Sequence, residues 1–253
     1  MSRFRQNNTT RVKPHRLHRE ILDLVELEGG ELHTDTVLGR YVGTNHPRYH
    51  LSLPAMRTIA RTWLRFRKDL AAAEFQKVLT SLIQGPSYNE KLMTGILLSM
   101  APKAMQEIDP RIFKEWLGHL EGWAEVDTLC TGPFTVRQVP AQWATWKKLL
   151  PAFARSKDIH QRRASIVLLC SPIRHDNNPE MFQVMIANIE RLKHEKEILI
   201  TKAISWVLRS AVTHHEQAVK RYVLANKDTL PKIAVRETLV KIKTGTKTKR
   251  KDL

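Results

Sequence analysis

Residues 71–100 decide the fold: Ala71-Ala72-Ala73-Glu74-Phe75-Gln76-Lys77-Val78-Leu79-Thr80-Ser81-Leu82-Ile83-Gln84-Gly85-Pro86-Ser87-Tyr88-Asn89-Glu90-Lys91-Leu92-Met93-Thr94-Gly95-Ile96-Leu97-Leu98-Ser99-Met100. Two apolar stretches, each long enough for a helix, are split by Gly85-Pro86, a dipeptide that ends one helix and redirects the chain. The segment reads as an antiparallel helix pair.

The same grammar repeats downstream. Asp109-Pro110 opens a short helix to His119, and the Trp123 helix follows, ending near Gly132-Pro133. Ala141 to Arg155 pairs with Ile159 to Leu169, stopped by Pro172. Asn178-Pro179 opens a helix to about Lys193, which pairs with Glu195 to Thr213. Glu216 to Asn226 and a helix from Pro231 come last. The second helices centre on Met93, Asp127, Arg163, Ile204 and Glu237, a recurrence of about 33 to 41 residues that is typical of helical-repeat solenoids. Upstream, Pro14 starts a helix that Gly29-Gly30 stops, Thr34 to Leu51 reads as looser chain, and Ser52 with Pro54 begins a helix to about Lys68. The expected fold class is all-α: a superhelical solenoid of stacked antiparallel helix pairs, HEAT-like, with a concave basic face. Residues 14–240 form one domain, 1–13 a disordered basic N-terminus, and 241–253 a flexible basic tail.

Composition narrows the function. The chain has 253 residues, 42% of them apolar, and a net charge of +17. The first thirteen residues contribute +4 and residues 241–253 contribute +5, which leaves +8 on the folded part. That favours a polyanionic partner, nucleic acid ahead of a membrane surface, over charge that merely keeps the protein soluble. No apolar run approaches the roughly 18 residues of a membrane span, and no secretory signal is visible. Cys130 and Cys170 lack ligand spacing and read as buried thiols, so neither metal nor cofactor is expected.

Three second helices carry the polar residues of interest. Trp123 and Asp127 lie one turn apart on one face of an apolar helix. A carboxylate there is costly to bury unless paired, and Arg162 or Arg163 could pair with it. Lys202, Trp206 and Arg209 fall at i, i+4 and i+7, a basic–aromatic–basic stripe. Arg57, Arg61 and Arg65 form another basic series, which either contacts a phosphate backbone or is a solvated face. If the second helices line one groove, it holds a carboxylate, two indoles and several cations.

These residues carry a resemblance. The stretches Tyr41-Val42-Gly43-Thr44 with Leu53-Pro54-Ala55-Met56-Arg57, Trp123-Ala124-Glu125-Val126-Asp127, Arg162-Arg163-Ala164-Ser165-Ile166 and Lys202-Ala203-Ile204-Ser205-Trp206-Val207-Leu208-Arg209 resemble, in this order, the AlkD-like DNA alkylation repair glycosylases. The resemblance runs through most of residues 40 to 210. It implies a HEAT-like superhelix that excises purines alkylated at ring positions 3 or 7 from duplex DNA, without flipping the base into a pocket as other glycosylases do. It implies that Asp127 is the catalytic carboxylate with Trp123 beside it, that Trp206 flanks the lesion nucleotide, and that Arg162 or Arg163 and Arg209 hold phosphates. Lys202, Arg57 and Arg61 join them as candidate DNA contacts. Gly122 departs from the pattern, since many members carry a further aromatic residue there. The expected protein is a monomer acting in the cytoplasm, nucleoid-associated in a bacterium. A non-catalytic DNA-binding repeat protein and a protein-binding scaffold are the competing readings.

The chemistry fits a cationic base. A carboxylate about 4 Å from the deoxyribose stabilises positive charge developing there by roughly 4 kcal/mol at an effective dielectric near 20. Alone, that is about a thousandfold in rate. An indole face adds on the order of 0.5 to 2 kcal/mol.

Overall fold

A computed structural model describes residues 14–247, and among them there is no β-strand, only an isolated antiparallel bridge between His33 and Arg48. The chain forms α1 (Arg16–Gly29), α2 (Thr36–Val42), α3 (Leu53–Arg65), α4 (Ala72–Ile83) and α5 (Tyr88–Met100). Two 3₁₀ turns follow, then α6 (Phe113–Leu117), α7 (Trp123–Cys130), α8 (Pro133–Ala141), α9 (Trp143–Ala154) and α10 (Ile159–Cys170). The last four are α11 (Pro172–His175), α12 (Pro179–Leu192), α13 (Ile198–Ala225) and α14 (Lys232–Thr244).

The pair read from residues 71–100 is α4 and α5, packed antiparallel through Leu79, Leu82, Ile83, Met93 and Leu97, all fully buried. Its turn is built from side chains. The Ser87 hydroxyl accepts the Glu90 N–H at 3.2 Å while Glu90 Oε2 accepts the Ser87 N–H at 2.8 Å, which satisfies two helix-end donors reciprocally. A Cβ on Gly85 would stand 2.0 Å from Glu90 Oε1, so a larger residue there would have to displace the carboxylate that closes this turn.

The second helices form a continuous row. α5 packs on α7, α7 on α10, α10 on α13, and α13 on α14, while α4, α9 and α12 back them from the outer layer. The row is close-packed at its start: a Cβ on Gly95 of α5 would lie 2.4 Å from the Thr128 carbonyl oxygen of α7. Aromatic residues fill the space beneath, with Phe113 stacked on Phe134 and edge-on to Trp146.

Several boundaries differ from the sequence reading. The looser stretch 34–51 contains α2, capped by Asp35, whose carboxylate accepts the Val37 and Leu38 N–H groups. Residues 133–141 form α8, with Pro133 at its first turn. The expected break between Glu195–Thr213 and Glu216–Asn226 is present: α13 is two helices joined at His215, whose φ of −125° and ψ of 30° are not helical. α14 runs to Thr244 and closes on Gly245 at φ 71°, four residues into the stretch expected as a tail. Residues 1–13 and 248–253, including the basic N-terminus and the end of that tail, lie outside the described residues. Cys130 and Cys170 are free and buried. No helix among the described residues is long and apolar enough to cross a membrane.

Candidate functional site

The N-terminus of α7 is held by an acid rather than by its cap. Glu125, fully buried, accepts the N–H groups of Glu121 at 2.7 Å and Gly122 at 3.3 Å. Its other oxygen lies 2.9 Å from His46 Nδ1. Burial works against the charge, but the His46 contact and the two backbone donors outweigh it and hold the carboxyl below the usual glutamate range. Glu121 in turn accepts from the Thr44 hydroxyl at 3.2 Å and the Asn45 N–H at 2.9 Å. The segment after α2 is thereby fastened to the start of α7.

That fastening explains Gly122. A Cβ there would stand 2.3 Å from the Val42 carbonyl oxygen and 3.1 Å from the Gly43 carbonyl carbon. Backbone occupies the place where a side chain would begin. A different aromatic residue stands beside the indole: Tyr41 meets Trp123 edge-on with ring centroids 5.7 Å apart, and Trp123 Nε1 donates to the Tyr41 carbonyl at 2.7 Å. Tyr41 is 71% exposed.

One turn on from Trp123, Asp127 meets Arg163 of α10. Arg163 Nε donates to Oδ1 at 2.9 Å and Nη2 to Oδ2 at 2.7 Å. The third guanidinium nitrogen, Nη1, donates to the Leu199 carbonyl of α13, so one side chain joins three helices of the row. The aspartate side chain is 16% exposed and the arginine 6%. Burial raises the Asp127 carboxyl above the usual aspartate range, and the guanidinium opposes that rise.

Two clefts flank this ion pair. The first, about 640 Å³, is lined by Tyr41, Arg57, Tyr88, Trp123 and Asp127 over an apolar floor that includes Leu92 and Ile96. The second, about 380 Å³, is lined by Arg163, Lys202, Trp206, Arg209, Glu237 and Lys247. Trp123 lines the first cleft and Trp206 the second, and the Asp127–Arg163 pair lies where the two meet. Trp206 is half-buried and Lys202 exposed. Arg57 and Arg61 are exposed on α3 and form no ion pair among the described residues, and Arg57 lines the first cleft. Arg162 points elsewhere: it donates to the Ser156 and Lys157 carbonyls and pairs with Glu195 at 2.9 Å.

Sequence reasoning gave no role to Tyr41, Tyr88, Glu125, His46 or Glu237. An acid three positions after a residue at a helix N-cap was the available signal for Glu125. The tyrosines reach the cleft from α2 and α5, and no local pattern announces that. Burial pushes the Cys130 and Cys170 thiols up, which keeps them protonated and unreactive. No group of three metal-binding side chains occurs among the described residues.

Comparison with known proteins agrees with this architecture. A solved structure described as "Predicted DNA alkylation repair enzyme from Enterococcus faecalis" superposes with a TM-score of 0.66 at 16% identity, covering 82% of this chain and 96% of that one. At that identity the likeness speaks to the fold. No curated protein matches the chain. The sequence family described as DNA alkylation repair enzyme matches residues 28–242, which include every residue of both clefts except Lys247. The chain belongs to the AlkD-like family of DNA alkylation repair enzymes.

Proposed function

We propose that this protein is a monofunctional DNA glycosylase that releases cationic 3- and 7-alkylated purines from duplex DNA, with Asp127 as the catalytic carboxylate. The observation that carries the reading is a partly buried carboxylate opening onto a cleft walled by Trp123 and Tyr41, beside a second cleft of cations around Trp206.

In the proposed reaction the bond from C1′ to the purine nitrogen breaks, and its electron pair neutralises the cationic base. Positive charge is left on the sugar. Asp127 stabilises that charge, water adds to C1′, and a proton passes to solvent. No general acid is needed, since the leaving group already carries its charge.

Arg163 tempers the carboxylate. A charge forming about 4 Å from Asp127 gains roughly 4 kcal/mol, while a guanidinium about 8 Å from the same point opposes it by roughly 2 kcal/mol. The net of about 2 kcal/mol is worth on the order of thirtyfold, so the rest of the rate must come from the indole and tyrosine faces and from a substrate that leaves readily. In return, the bidentate geometry fixes the carboxylate and so avoids reorganisation during the reaction. Lys202, Arg209 and Arg57 are the proposed phosphate contacts, with Arg61 further along the same exposed face of α3.

The test is base release from duplex DNA carrying 7-methylguanine and 3-methyladenine. Asp127→Asn should abolish release and leave DNA binding nearly intact; equal release by variant and wild type would sink the assignment. The engagement of both Asp127 oxygens by Arg163 favours a second reading, a DNA-binding protein without excision. That reading predicts salt-sensitive binding with no base released by the wild type.

A further inference from the structure

The second cleft holds an acid among its cations. Glu237 of α14 is 8% exposed, and its Oε2 accepts from the Ser205 hydroxyl at 2.7 Å and lies 3.3 Å from Arg209 Nε. Its Oε1 lies 3.6 Å from Lys247 Nζ. Lys202 and Arg163 line the same cleft beside the Trp206 indole. One carboxylate thus sits where basic side chains converge next to an aromatic face.

A backbone phosphate of DNA calls for the same surroundings: an anion with two oxygens presented to guanidinium, ammonium and hydroxyl donors. Glu237 already lies against the Nε edge of the Arg209 guanidinium, so a phosphate pairing with Arg209 shares it with a carboxylate. The carboxylate also cannot leave with the arginine, because Ser205 of α13 anchors it from the same wall. A phosphate approaching Arg209 and Lys247 therefore meets a fixed negative charge beside them.

We propose that Glu237 is an internal stand-in for a DNA phosphate, engaging Arg209 and Lys247 in the free protein and competing with duplex DNA for them. The proposal rests on the DNA-binding reading above and adds a residue that lowers affinity. Phosphate reaches Arg209 and Lys247 by exchange with this carboxylate, so that sequence-independent binding to undamaged duplex is held down. The opposing view is that Glu237 merely orders Arg209 for DNA, and it predicts the opposite sign on removal.

The test uses the full chain and an undamaged duplex, with affinity measured over a series of salt concentrations. Glu237→Gln keeps the shape and a partner for Ser205 but removes the charge. It should bind about 3- to 10-fold tighter, because phosphate contacts are no longer opposed. Its salt dependence should steepen by up to about one phosphate contact, because the wild type must take up a cation at the bared carboxylate. Unchanged or weaker affinity in a folded Glu237→Gln variant overturns the proposal.

If that variant does not fold, a second pair decides. Arg209→Gln alone leaves Glu237 facing the phosphate, whereas Arg209→Gln with Glu237→Gln removes both charges. The double variant should bind about threefold tighter than the single one. Equal affinity rejects the competition. A wild type that shows no salt-sensitive binding to any duplex defeats the functional reading and this inference with it. Binding by the wild type that is no tighter in the variants defeats this inference alone.

Discussion

Asp127 and Arg163 face each other as planar groups, two parallel hydrogen bonds between them at 2.9 and 2.7 Å, with Leu199 holding the arginine from behind. Breaking a buried pair of this kind leaves an uncompensated charge in the interior. Arg163→Ala should therefore cost on the order of 3–5 kcal/mol of folding free energy, while Arg163→Lys, which keeps the charge but loses the fork, should fall between. Urea denaturation gives the number. A loss below about 1 kcal/mol for Arg163→Ala would show that the pair contributes no more than a surface ion pair.

Gly122 stands against the backbone of Val42 and Gly43. Gly122→Ala forces a Cβ to 2.3 Å from a carbonyl oxygen that cannot swing aside, so α2 must move off α7. Overpacking of this kind costs typically about 1–3 kcal/mol. Displacing α2 also separates Tyr41 from Trp123, which should raise the accessibility of that indole to a collisional quencher of tryptophan fluorescence. A variant with wild-type stability and unchanged quenching would contradict the close approach.

Glu125 gives a pH signature with a definite sign. Its folded-state value lies below that of the unfolded chain, because His46 and two backbone donors favour the anion over the cost of burial. The stability it supplies is thus fully present above about pH 4.3 and is lost as the pH falls through the lower folded-state value. Compared with Glu125→Gln, the wild type should be more stable at pH 7 by roughly 1–3 kcal/mol, with the gap narrowing below about pH 4. Denaturation of both proteins across that range measures it, and a gap that is constant with pH would remove Glu125 from this role.

The helix row was legible because each second helix is apolar and punctuated. Met93, Asp127, Arg163, Ile204 and Glu237 fall, as their spacing predicts, in α5, α7, α10, α13 and α14. α2 was hidden because it lacks an apolar stripe: Val37 and Tyr41 point outward, 75% and 71% exposed, and Gly39 within it and Gly43 after it read as breaks. Gly39 is in fact a packing requirement, since a Cβ there would lie 2.8 Å from the Thr44 carbonyl oxygen. Arg162 and Arg163 were inseparable in sequence. One residue along a helix is about 100° of rotation, and that turn sends one guanidinium to Asp127 and the other to Glu195. Glu237 escaped notice because its cations come from α13 and from beyond α14, a convergence that exists only after folding.

The hydrogen bond from Trp123 to the Tyr41 carbonyl spans 82 positions of chain. The aromatic side of the first cleft is consequently a tertiary object, owned by no single repeat. A fragment beginning after Gly43 would retain Asp127, Arg163 and the cations of the second cleft, yet its indole would lack both its acceptor and its neighbouring ring. The first cleft is thereby tied to the N-terminal helices as well as to the repeats that follow them.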